Sequence, residues 1–179
     1  LNEFNVENRR DAFCGKISVC NNLRQYGYAF SLTDLHTVSP RSEEFKHDLQ
    51  KFVGVCRVVR GLTSARLGAV GAHPAAFNTV RYSEKLLQEA GITVVTVDLS
   101  EILGEASRLK DEDATVKARL DLIMDYLPTQ GVPSPSIMRM AKFSAALEAW
   151  MKEFDIQATA LQCWNSVQKN YGINVCTLM

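Results

Sequence analysis

The sequence contains no apolar run approaching the roughly 20 residues that span a bilayer, so no transmembrane helix is expected. Its opening stretch, LNEFNVENRRDAF, is polar and lacks the apolar centre of a secretion signal. There is no excess of either charge: Lys plus Arg and Asp plus Glu each number 20, for a formal net charge of zero. That excludes a strongly basic nucleic-acid binder and an acidic solvating tail. The one adjacent basic pair is Arg9–Arg10, and no basic stripe interleaved with aromatics occurs, so no nucleic-acid partner is expected. The five cysteines, Cys14, Cys20, Cys56, Cys163 and Cys176, are odd in number and scattered, with no CxxC. A disulfide framework and a structural zinc site are both disfavoured, and reduced thiols in a cytoplasmic protein are the simple reading. Repeats and low-complexity segments are absent too.

What is present is a globular composition: 46% apolar and 22% charged residues over 179 positions. A chain of this length buries roughly two-thirds of its unfolded surface and needs no covalent or metal staple. It suits a single domain of 1–179, in which 1–60 is a helical lead-in and 61–179 a regular βα core. The chain starts with Leu1 and stops inside an apolar, strand-like run, INVCTLM. A fragment of a larger multidomain chain is therefore expected, the alternative being a docked terminal strand.

Helical spacing of Phe13, Ile17, Cys20 and Leu23 predicts a helix over 9–25, stopped at Gly27. After a short strand or loop, YAFSL, a second helix over about 42–60 would bury Phe45, Leu49, Phe52, Val53 and Cys56. The pattern then becomes regular. Residues 65–72 (ARLGAVGA) predict a strand, 77–90 a helix with Val80, Leu86, Leu87 and Ala90 inward, and 92–97 (ITVVTV) a β-branched strand. Asp98 is placed to cap the next helix. A helix over 111–127 with Val116, Leu120, Ile123 and Leu127 on one side follows. The Pro/Gly-rich connector PTQGVPSP then leads to a long amphipathic helix over 136–154. A strand over 155–162, a short helix over 164–170 and a last strand over 173–178 complete the chain. This alternation predicts an α/β fold: an open, mostly parallel sheet wrapped by helices, a Rossmann-like or flavodoxin-like three-layer sandwich. The strands are continuously apolar, which predicts cover on both faces.

Ligands of open α/β sheets sit beyond the carboxyl ends of the strands. Two segments fall there. GAVGAHPAAFNT, 68–79, has small residues that permit close approach, although it is neither GxGxxG nor a P-loop. It reads either as a ligand loop or as a tight turn capped by Asn78 or Thr79. QCWNS, 162–166, offers an amide that can donate to and accept from sugar hydroxyls, Gln162, and a flat apolar ring, Trp164. Equally, Trp164 could be core and Gln162 a helix cap. His47 reads as solvent-facing, while His73, before Pro74, and His36 are left undecided. The carboxylates Asp98 and Glu101, and Asp111, Glu112 and Asp113, begin helices, where they offset the dipole rather than hold a metal. Cys163 reads as a packed thiol.

The runs RRDAFCGKISVCNNLRQYG, GAVGAHPAAFNTVRYSEKLLQEAGITVVTVDLSEILG and ALQCWNSVQKNYGINVCTLM together resemble the L-fucose isomerase-like proteins, which group with L-fucose and L-arabinose isomerases. The resemblance runs through nearly the whole chain and implies the second N-terminal α/β portion of a three-domain enzyme. It implies aldose–ketose isomerisation through an ene-diol, with a divalent ion, manganese, on neighbouring sugar oxygens in the parent enzyme. The family's metal-binding glutamate, aspartate and histidine lie beyond the CTLM segment, so no catalytic residue, metal ligand or cofactor is expected in these 179 residues, and the chain alone should be inactive. Gln162 resembles the family's substrate-contacting glutamine, and Trp164 stands beside it as the second sugar-binding candidate. Arginine is more usual in the family where this sequence has His73. The implied partners are a sugar substrate, the remaining domains of the same protein and further copies in a homo-oligomer. The alternative is a sugar- or nucleotide-binding module without catalysis.

Overall fold

The computed structural model describes residues 11–126 and 128–178. Arg9 and Arg10, and Leu127 of the predicted helical stripe, lie outside the described residues. The chain divides into two compact units, Leu1–Val59 and Arg60–Met179.

In the first unit, α1 spans Ala12–Gln25. Its Phe13 ring stands edge-on to His36 at 5.4 Å, and Lys16 Nζ donates to Thr33 Oγ1 at 3.3 Å. Residues 28–32 (YAFSL) form no strand. Helix α2, Glu43–Leu62, starts where the Ser42 hydroxyl accepts the Phe45 N–H at 3.2 Å. Glu43 and Glu44 in its first turn and Arg60 in its last complement the helix dipole. Neither helix buries a residue. The stripe expected inside is outside: Phe45, Leu49, Phe52, Val53 and Cys56 are all exposed, as are Phe13 and Ile17. The helical period is present in both helices, and nothing within the first unit's described residues buries these faces.

The second unit holds a three-stranded parallel sheet, β1 Arg66–Val70, β2 Thr93–Val97 and β3 Ala158–Leu161, in the order β2-β1-β3. Gly68 pairs with Val95 and Thr159, and Val70 with Val97 and Leu161. Alternation along each strand therefore gives two faces. One carries Gly68, Val70, Val95, Val97, Thr159 and Leu161; the other carries Leu67, Ala69, Val94, Ala158 and Ala160.

The first face is packed. Helices α4, Leu99–Arg108, and α6, Ser134–Glu153, lie on it. Ile102 and Ala106 of α4 and Phe143, Ala146, Leu147 and Trp150 of α6 join Val70 and Val97 in one core. Phe143 is wholly buried, which stabilises by roughly 2–3 kcal/mol relative to exposure. Helix α5, Ala114–Tyr126, packs on the far side of α6 through Val116 against Ala141 and Ala145. Arg119 Nε ties it to Glu148 Oε2 at 2.7 Å.

The open parallel sheet flanked by helices is as expected, but its second face is the more lightly covered. Leu67 and Ala69 are half-buried and Ala158 and Ala160 exposed. They floor a shallow apolar cavity of about 270 Å³ walled by Tyr82 and Leu87. The single helix predicted over 77–90 is split: a 3₁₀ turn over Asn78–Val80, then α3 over Glu84–Glu89. Ser83 causes the break by accepting the Leu86 N–H, a capping role expected of Asn78 or Thr79. Six residues of helix cannot roof three strands, and Val80 and Leu86 are left exposed.

The connector runs into α6 two residues earlier than expected, at Ser134, because Pro135 is tolerated in a first turn. Helix α7 is Ser166–Asn170. The predicted last strand is irregular backbone ending in a 3₁₀ turn, Cys176–Leu178. Ile173 and Val175 are buried with Asn174 and Cys176 exposed, so the period-two alternation survives without a strand partner among the described residues.

Candidate functional site

The order β2-β1-β3 means that the chain leaves β1 toward one edge and returns past it to form β3 on the other. Loops leaving the carboxyl ends of β1 and β3 lie side by side at the end of the sheet where the switch-point crevice of open α/β sheets takes ligands. Both candidate segments lie there.

After β1 the chain turns at Gly71, whose φ is +81° and whose N–H donates to Val97 O at 2.9 Å. A Cβ at this position would stand 2.5 Å from Gln162 Oε1. Gln162 follows β3 and donates its backbone N–H to Val70 O at 2.9 Å. Its side-chain oxygen accepts the Ala72 N–H at 2.8 Å, and its Nε2 donates to Trp164 O at 3.4 Å. Trp164 is not core: it is 53% exposed, with its ring 5.3 Å from that of Phe77. The crevice thus brings together the two residues singled out in the sequence and adds Phe77. Cys163, between them, is half-buried.

His73 lies on the same β1 loop, exposed, with its ring 5.4 Å from Tyr82. Burial, and then the Glu84 charge, push the Tyr82 hydroxyl above its ordinary pKa. His47 is exposed on α2, and His36 belongs to the first unit beside Phe13. Phe77 and Tyr82 were missed in the sequence, and no local signal marks them, because their partners are distant in the chain or set by the loop path.

Three of the five carboxylates, Asp98, Asp111 and Asp113, have structural partners. Asp98 caps α4 by accepting from the Ser100 N–H at 2.7 Å and from its hydroxyl, and these bonds hold it below its usual pKa. Asp113 accepts the Lys110 N–H at 2.8 Å, and Asp111 pairs with Lys142 at 2.6 Å. The Asp111 bond raises the Lys142 pKa. Among the described residues no three His, Cys, Asp or Glu side chains converge, so these residues by themselves do not fit a manganese site. No helix among them is long and apolar enough to cross a membrane.

Residues 1–63 match the family model of the fucose/sulfoquinovose isomerase N-terminal domain. The remainder is reached by whole-chain similarity. Sulfoquinovose isomerase of Priestia aryabhattai is 22% identical over 172 residues, 96% of this chain and 37% of the relative. That of Clostridium sp. (strain MSTE9) is 24% identical over 178 residues, 96% and 38% respectively. These matches support a relation to the L-fucose isomerase-like family. A third relative, the sulfoquinovose isomerase of Alkalicoccus urumqiensis, is 24% identical over 89% of this chain. The chain spans a little over a third of the length of these relatives.

Proposed function

We propose that this chain is part of a sugar ketol isomerase that interconverts an aldose and its ketose, and that it supplies sugar-binding surface rather than the proton-transfer or metal centre. The observation that carries this reading is the alignment of nearly the whole chain with sulfoquinovose isomerases. The crevice chemistry supports it. A neutral amide and the exposed Trp164 ring beside the half-buried Phe77 suit a polyhydroxylated ring, whose hydroxyls need hydrogen-bond partners and whose C–H face packs on an aromatic.

In this reading manganese belongs to the parent enzyme and is held by residues outside these 179. When bound it would stabilise charge developing on the enediolate oxygens. The chain's own part is to hold and orient the sugar. The remaining domains of the protein, and further copies of it, are the partners proposed for the exposed apolar faces of α1 and α2. A cytoplasmic setting is part of the same proposal, in keeping with the free cysteines.

The test is turnover. The purified chain is incubated with manganese and either L-fucose or sulfoquinovose, and ketose formation is followed. No ketose above the protein-free control is expected. Formation by the isolated chain would overturn the placement of the proton-transfer centre elsewhere.

A further inference from the structure

We infer that Gln162 is a positioning residue: its side-chain amide latches the loop after β1 to the loop after β3 and so sets the crevice floor. The functional meaning of this latch rests on the sugar-binding reading of the crevice; its existence does not.

A backbone N–H can only donate, so the group facing Ala72 N at 2.8 Å must be the amide oxygen. Trp164 O can only accept, so the group facing it at 3.4 Å must be the nitrogen. The two backbone partners thus fix the amide in one orientation. Gly71 adds a steric condition, because any Cβ there would press on both Oε1, at 2.5 Å, and Cβ of Gln162, at 2.9 Å. The positive φ makes glycine the residue that fits the turn as well. One side chain therefore connects the loop carrying Phe77 to the loop carrying Trp164, the two rings 5.3 Å apart.

The latch limits what Gln162 offers a ligand. Its oxygen accepts from Ala72 and keeps a second lone pair, and its Nε2 donates to Trp164 O and keeps a second N–H, so toward a sugar hydroxyl it offers one acceptor and one donor site.

The test is amide hydrogen exchange on the ¹⁵N-labelled chain. In the native protein Ala72, although exposed, should exchange more slowly than Ala75 and Ala76 on the same loop. Gln162→Met keeps the side-chain length but removes the acceptor. Ala72 exchange should rise about fivefold, the equivalent of one ordinary hydrogen bond. The Trp164 indole resonance should move, and core amides such as Val70 and Val97 should not. Gln162→Glu restores an acceptor oxygen and should return Ala72 to native protection, a rescue that mere space-filling by residue 162 would not produce. Equal exchange at Ala72, Ala75 and Ala76 in the native chain would overturn the latch whether or not the variants fold. So would an unchanged Ala72 in Gln162→Met, or failure of Gln162→Glu to rescue it. A protected and rescued Ala72 in a chain whose crevice resonances ignore L-fucose and sulfoquinovose would leave the latch standing and remove the sugar reading.

Discussion

The contact between Gly68 and Trp150 is the point where the packed face of the sheet is most sensitive to change. A Cβ at Gly68 would stand 2.7 and 2.8 Å from two ring carbons of Trp150 and 2.9 Å from Thr159 Cγ2. Carbon atoms in ordinary contact are about 3.5–4.0 Å apart, so Gly68→Ala is roughly 1 Å short of space on two sides. Thr159 is fixed by strand pairing to β1, and Trp150 is 9% exposed in the core, so neither can yield freely. Overpacking of this kind costs about 1–3 kcal/mol. With a urea dependence of about 2 kcal/mol per molar, a loss of about 2 kcal/mol lowers the unfolding midpoint by about 1 M. The assay is urea unfolding followed by far-UV circular dichroism for the parent, Gly68→Ala, Trp150→Phe and the double variant. In Trp150→Phe the smaller ring makes room for the added methyl, so the double variant should be more stable than the sum of the single losses by about 1 kcal/mol or more. A neutral Gly68→Ala, or strict additivity, would refute the packing of Trp150 on β1 at this glycine.

Three further outcomes follow from the same structure. Trp164→Phe should shift urea stability by less than about 0.5 kcal/mol, because the ring is largely exposed, whereas Trp150→Ala should cost about 3–5 kcal/mol; comparable losses from the two would contradict their placement. Bonds from Arg119, then from Lys152, hold the Glu148 carboxyl below its usual pKa. Its contribution is therefore present above the unfolded-state value near 4.5 and is lost as pH falls through the lower folded value. The gap in urea midpoint between the parent and Glu148→Gln should be constant from pH 7 to about 5. It should close as the solution is acidified further, and a gap that persisted in strong acid would contradict the ion pair. Removing the Asp98 cap as Asp98→Asn should be milder than as Asp98→Ala, since the amide oxygen can still accept the Ser100 N–H; equal thermal shifts would count against capping.

Much of this fold is readable in the residues themselves. The β-branched run at 93–97 forms β2, and Asp98 caps α4 as its chemistry and position predict. The apolar spacing of Ile137, Ala141, Phe143, Ala146, Leu147 and Trp150 does place α6 against the core. The failures share a cause. Apolar periodicity says that a face seeks a partner, but not whether the partner is near: Phe45, Leu49 and Phe52 keep the helical spacing and stay exposed. Likewise Ile173 and Val175 alternate as a strand does, yet a strand also needs a neighbour to bond. At the crevice, Gln162 and Trp164 stood out by type and position. The bond from Ala72 to Gln162 and the Phe77–Trp164 contact arise from parallel pairing of β1 with β3, which local sequence does not encode.

The most direct measurement of the central claim is a titration of the ¹⁵N-labelled chain with sulfoquinovose and, separately, with L-fucose, followed amide by amide. The account predicts saturable shifts confined to residues 71–77 and 162–165 and to the Trp164 indole, abolished by Trp164→Ala. Shifts centred elsewhere, or none in that crevice with either sugar, would contradict it.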